Sequence, residues 1–179
     1  MGPFQEERNP FGGEGEATVK TNLLGNKRVL IIDDEPDILA TLADLLHMCR
    51  VVKASTFEKA KDALETQYFD VAILDIMGVN GYELLNIANK KKVIAVMLTA
   101  HALSPEDTAK SYREGAALYV PKEAMANITT YLNDVLEAKE AGRSFWWRWL
   151  DRFESYYDKK FGSEWKKKDE DFWKKINYI

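Results

Sequence analysis

The sequence predicts an α/β fold, a parallel sheet with helices packed on both faces. Three observations predict it. Five short apolar runs recur every 21 to 23 residues, centred near Ile31, Val52, Ile73, Val96 and Tyr119. The runs are continuously apolar, the pattern of strands buried on both faces. Between successive runs lie stretches with apolar residues at helical spacing, and βα units joined by short connections build a parallel sheet.

Each element has its own signal. The run Val29-Leu30-Ile31-Ile32 is the first strand, and Ile38, Leu42, Leu45 and Leu46 mark a helix opened by Pro36, a residue suited to a first helical turn. A second strand near Val52 precedes a helix with Phe57, Ala60, Ala63 and Leu64. The third strand, Val71-Ala72-Ile73-Leu74, leads through Gly81 to a helix with Leu84, Leu85 and Ala88. After the fourth, Val93 to Leu98, Ser104 can cap a helix with Pro105 at its first position. The fifth, Leu118-Tyr119-Val120, precedes a stripe of Ile128, Tyr131, Leu132, Val135 and Leu136. Residues 27–141 therefore read as one domain. Residues 1–26, polar and glycine-rich with Pro3 and Pro10, read as a disordered lead-in, in which Phe4 and Phe11 offer a short docking motif as the alternative.

Composition changes near Gly142. Residues 143–179 carry a net charge of +3 against −7 for the rest, and hold all five tryptophans. Trp146, Leu150, Phe153, Tyr157 and Phe161 recur at helical spacing, and Trp165, Phe172, Ile176 and Ile179 follow Gly162. Residues 142–179 are expected to form a Trp-rich helical extension with a broad aromatic face. That face could fold back on its own domain, form a homodimer through the helix, or dock a separate protein. A DNA partner is not expected, because 37 residues with interleaved acids and bases are too few for a helix-turn-helix module. Binding at a membrane surface is disfavoured by Asp169-Glu170-Asp171.

Several classes are excluded by what the chain lacks. No apolar run approaches the roughly 20 residues of a membrane span. No leader is visible after Met1, so a cytoplasmic location is expected. One cysteine, Cys49, gives no disulfide framework and reads as a buried, inert thiol. His47, His101 and that cysteine do not make a zinc site.

The chemistry lies at the strand ends. Asp33 and Asp34 follow the first strand, Asp75 the third, Thr99 the fourth, and Lys122 lies just past the fifth. In an open parallel sheet the carboxyl ends of the strands face one crevice, where ligands bind. Helix capping accounts for one aspartate but not for the whole set. Three carboxylates in a small space repel each other, and a divalent cation relieves this. All-oxygen ligands favour Mg²⁺.

Together, Val29-Leu30-Ile31-Ile32-Asp33-Asp34-Glu35-Pro36, Val71-Ala72-Ile73-Leu74-Asp75, Met97-Leu98-Thr99-Ala100 and Tyr119-Val120-Pro121-Lys122 resemble the receiver domain of two-component response regulators. The resemblance covers about Lys27 to Ala141. It implies a flavodoxin-like (βα)5 doubly wound sheet in strand order 2-1-3-4-5. It also implies a phosphoacceptor rather than an enzyme, with Asp75 taking a phosphoryl group from a histidine kinase or phosphotransfer protein. In that family Asp34 ligates Mg²⁺ directly, Asp33 acts through metal-bound water, and Asp75 and the carbonyl of Met77 complete the metal site. Thr99 and Lys122 contact the phosphoryl group, and Tyr119 with Thr99 forms the switch.

Two departures from the family pattern stand out. The loop Asp75-Ile76-Met77-Gly78-Val79-Asn80-Gly81 lacks the usual proline and looks short. Glu123 replaces the proline that usually follows the lysine, so a trans bond is expected there, a non-proline cis bond costing about 2.5–4 kcal/mol. Met77 and His101 fill the positions that steer hydrolytic water in the family, which implies a long-lived phosphoryl group. The rival readings are a phosphorylation-independent adaptor acting through the tail, and a phosphohydrolase. The complete acidic, threonine and lysine set opposes the first, and Met77 where a general acid is needed opposes the second.

Overall fold

The computed structural model describes residues 22–100 and 104–176. The expected segment around Phe4 and Phe11, and His101, lie outside the described residues. Five strands form one wholly parallel sheet in the order β2-β1-β3-β4-β5, with β1 at Arg28–Ile32, β2 at Arg50–Ala54, β3 at Val71–Asp75, β4 at Ile94–Thr99 and β5 at Leu118–Pro121. Every residue of β3, β4 and β5 is buried, as are four of the five in β1. That burial requires cover on both faces, which the intervening helices provide.

The helices are α1 (Pro36–Leu45), α2 (Phe57–Thr66), α3 (Gly81–Lys90), α4 (Pro105–Arg113) and α5 (Ile128–Glu140), with a 3₁₀ turn over Lys122–Asn127. The stripes read from periodicity are buried on α2 at Ala60, Ala63 and Leu64 and on α3 at Leu84, Leu85 and Ala88, whereas α1 buries Leu39 and Leu42 and leaves Ile38 and Leu45 partly buried. Ser104 caps α4 by accepting a hydrogen bond from the Asp107 amide at 3.3 Å, with Pro105 in the first turn. Ordered packing begins ahead of Lys27. Leu24 is fully buried, and the Leu23 amide donates to Asn133 Oδ1 at 2.8 Å. Cys49 is half-buried, and burial, with the nearby charge of Asp70, pushes its thiol pKa up.

The two edges of the sheet differ. β2 is only partly covered, whereas the opposite edge strand, β5, is enclosed. The cover comes from the C-terminal residues, folded as α6 (Trp146–Phe161), a 3₁₀ turn at Trp165–Asp169, and α7 (Glu170–Ile176). Gly142 and Gly162, both at positive φ, terminate α5 and α6. An edge strand presents unpaired backbone groups. Here the Trp149 indole N–H donates to the Tyr119 carbonyl at 2.8 Å, and Trp146 donates to the Ala116 carbonyl at 2.8 Å.

Around these anchors lies an aromatic cluster. Trp149 packs on Tyr157, Phe153 and Trp173 with ring centroids 4.9, 5.4 and 5.9 Å away. Tyr112 of α4 meets Trp146 and Phe172 edge-on. Arg148 and Arg152 of α6 pair with Asp134 of α5, whose carboxylate is fully buried. Arg113 and Glu106 of α4 pair with Asp169 and Lys168. The extension thus sits across α4, β5 and α5. Among the described residues no helix is long and apolar enough to cross a membrane.

Candidate phosphoacceptor site

The sheet register assembles the site. Pairing of Ile32 with Leu74 in β1 and β3 brings Asp33, the next residue, alongside Asp75. Pairing of Thr99 with Pro121 puts Thr99 and Lys122 at the same carboxyl-terminal edge. Asp33, Asp75 and Thr99 are all buried, at 0, 4 and 1 % exposure. Asp34 is exposed and lies over the loop after β3.

Lys122 holds the carboxylates together. Its ammonium is 2.7 Å from Asp33 Oδ2, 2.8 Å from Glu35 Oε1 and 3.7 Å from Asp75 Oδ1. Burial opposes the charged ammonium, but the adjacent Asp33 and Glu35 carboxylates outweigh it and raise the Lys122 pKa. The Asp75 pKa is raised, first by burial and then by the Asp33 charge. Lys122 and the Gly78 amide, which donates to Asp75 Oδ2 at 3.2 Å, act in the opposite direction. Asp33 Oδ1 accepts the Glu35 amide at 2.9 Å, fixing the turn into α1.

The donor set suits a hard cation. Asp33, Asp34 and Glu35 present carboxylate oxygens within 4.8 Å of one another. Asp33 Oδ2 is enclosed, and its contact with Lys122 is ionic without the alignment of a hydrogen bond, leaving it capacity for a further partner. The loop after β3 is shaped around Asp34, because a Cβ at Gly78 would lie 2.1 Å from Asp34 Oδ1. All of these ligands are oxygens, as Mg²⁺ prefers. Asp75 lies beside the three-acid group rather than within it.

Glu35 is the residue that sequence reasoning passed over. It stands in the quoted acidic run, and its adjacency to two aspartates was the available signal. Met77 projects into solvent, 76 % exposed. No cis peptide occurs among the described residues, and Lys122–Glu123 is trans as expected. Tyr119 is fully buried beneath α6. Trp146, Leu150, Phe153 and Tyr157 are buried too, and Phe161 is partly buried, so this aromatic stripe is covered from within the chain. A cavity of about 570 Å³ bordered by Lys92, Tyr112, Lys139, Arg143 and Trp146 contains none of the strand-end acids.

The response regulator receiver domain family matches residues 29–133, more than half of the chain. The chain belongs to this family. Among its relatives is the heme response regulator HssR of Staphylococcus saprophyticus, 37% identical over 100 residues, covering 52% of this chain and 43% of that protein. HssR of Staphylococcus aureus strain Newman is 35% identical over 99 residues, with the same coverage. The receiver thus spans less than half the length of these curated relatives. Among solved structures, a CheY-like receiver protein from Methanospirillum hungatei JF-1 matches with a TM-score of 0.53 and 27% identity, covering 63% of this chain and 98% of that one. DrrB of Thermotoga maritima, an OmpR/PhoB homolog, matches with a TM-score of 0.55 and 26% identity over 66% of this chain and 55% of that one. This receiver therefore has the flavodoxin-like doubly wound sheet of two-component response regulators, with added C-terminal helices.

Proposed function

We propose that Asp75 accepts a phosphoryl group from a phosphohistidine on a histidine kinase or phosphotransfer protein, and that the phosphorylated receiver acts through protein–protein contacts in the cytoplasm. The observation that carries this reading is the convergence of Asp75, Asp33 and Lys122 at one sheet edge, with Lys122 3.7 Å from Asp75. The carboxylate is the nucleophile. An Asp75 oxygen forms the new O–P bond as the N–P bond of the donor breaks, and the electron pair returns to the imidazole. Phosphoryl transfer depends chiefly on positioning and on neutralising the equatorial oxygens. Mg²⁺ bound by Asp33, Asp34 and the Met77 carbonyl, beside Asp75, would supply part of that charge.

The protein's own groups supply the rest. Lys122 moves its ammonium from Asp33 and Glu35 toward the phosphoryl oxygens, and the Thr99 hydroxyl donates to one of them. Tyr119 follows Thr99 inward, which biases the α4–β5–α5 surface. The phosphorylation-independent adaptor is disfavoured, because its aromatic face is already covered by the receiver. Incubation with Mg²⁺ and acetyl phosphate should add the mass of one phosphoryl group to the parent and not to Asp75→Ala. An equal gain in both would overturn the assignment.

A further inference from the structure

The cavity of about 570 Å³ opens at the amino-terminal edge of the sheet, away from the strand ends that carry Asp33, Asp75 and Thr99. Its size suits a small molecule, whose sites span roughly 300–1,000 Å³. The inner wall is apolar. Ile94 opens β4, Ala116 precedes β5, Val135 comes from α5, and Phe145 and Trp146 come from the C-terminal segment. All five are buried, and the Trp146 indole is fixed in place by its bond to the Ala116 carbonyl at 2.8 Å. The wall is therefore preformed, and part of it exists only because the extension is docked.

The rim is cationic. Lys92, Lys139 and Arg143 border the cavity, all three exposed, and no acidic side chain lines it. None of the three makes an ion pair among the described residues. Lys92, Gly115 and Gly142 line the cavity just past the ends of α3, α4 and α5, and all have positive φ, at 58, 91 and 67°. Glycine suits that backbone, yet the first of these positions holds a lysine. Strained residues gather at ligand sites. Each of the three helix ends is worth about half a negative charge, together less than the three full positive charges of the rim. Backbone amides also cap these ends, Val93 donating to the Ala88 carbonyl at 2.9 Å and Arg143 to the Ala138 carbonyl at 2.8 Å. An excess of positive charge faces an apolar hollow.

We propose that this cavity binds a small amphipathic monocarboxylate, its apolar body against Phe145 and Trp146 and its carboxylate at Lys139 and Arg143. The planar guanidinium of Arg143 matches a carboxylate in geometry. A phosphoryl head fits less well, because helix amino ends favour phosphates and only carboxyl ends come here. The site is separate from Asp75 and does not depend on the phosphoacceptor reading.

The probe is 1-naphthaleneacetate, with 1-naphthaleneacetamide as its uncharged counterpart and 1-naphthyl phosphate as the rival head. Each is titrated into the full chain by calorimetry, and backbone NMR locates it. The expected result is one saturable site, shifts at 115–117 and 143–146, and acetate binding about tenfold tighter than acetamide binding. Lys139→Gln combined with Arg143→Gln, both at exposed positions, should remove that preference and leave acetamide binding unchanged. Ala117→Phe adds a ring to the lining and should abolish binding of both, with thermal melts confirming a folded chain. Equal affinity for acetate and acetamide, or a preference that survives the double variant, overturns the carboxylate site. Tighter binding of the phosphate overturns the choice of head. Shifts confined to other residues, or no saturable binding, overturn the site itself.

Discussion

Lys122 is paired more closely with Asp33 than with Asp75, at 2.7 Å against 3.7 Å. The ammonium is therefore the internal counter-ion of the acidic pocket. Lys122→Met removes it and leaves two buried carboxylates uncompensated, a loss of about 3 kcal/mol for a broken buried pair. Urea unfolding without divalent cation should show that loss, and added Mg²⁺ should restore part of it.

The raised Asp75 pKa gives a pH signature. A carboxyl group with its folded pKa above the unfolded value favours the fold when protonated, and this contribution disappears as pH rises through the folded pKa. Burial first, then Asp33, produces the shift. Asp75→Asn should therefore be more stable than the parent at neutral pH without metal. The two should converge below the ordinary carboxylate range, as thermal melts across the acid limb will show.

Gly78 tests the metal cradle. A Cβ there would lie 2.1 Å from Asp34 Oδ1 and would displace the carboxylate. Gly78→Ala should weaken Mg²⁺ binding about tenfold, roughly 1.4 kcal/mol, with the fold intact. Isothermal titration of both proteins with MgCl₂ measures the difference.

Under the proposed phosphoacceptor role, Met77 is expected to set the lifetime of the phosphorylated state. Its exposed thioether is a poor partner for an attacking water. Met77→Asn offers an amide that can position that water and should shorten the acyl-phosphate lifetime roughly tenfold, less than a true general base contributes. Decay after removal of the phosphodonor gives the rate.

Trp149 is the centre of the C-terminal packing, with no exposed surface. Trp149→Ala removes its rings and the indole hydrogen bond to the Tyr119 carbonyl. The expected loss is about 3–5 kcal/mol, typical of a large aromatic truncated in a core. Equilibrium unfolding provides the comparison.

The strands and the site were legible in the sequence for one reason. A buried parallel strand is a continuous apolar run, so the polar residue that ends it marks the sheet edge. Asp33, Asp75 and Thr99 were placed by that rule alone. Glu35 was not, because its role depends on Lys122, 87 positions away. Leu24 escaped notice because it is buried from a turn that has no periodicity of its own. Helical spacing showed that Trp146, Phe153 and Tyr157 share a stripe. Periodicity says that such a stripe is buried and not what buries it. The indole bonds to Ala116 and Tyr119, and the arginines around Asp134, depend on long-range contacts invisible to local pattern.

Every indole in this protein belongs to the segment laid over β5, and the receiver itself has none. The tryptophan emission of the molecule thus comes from the extension alone, with Trp149 and Trp173 stacked close enough to couple their transitions. Tryptophan lifetimes and quenching by acrylamide, excited beyond the tyrosine band, would report on that segment without signal from the rest of the chain.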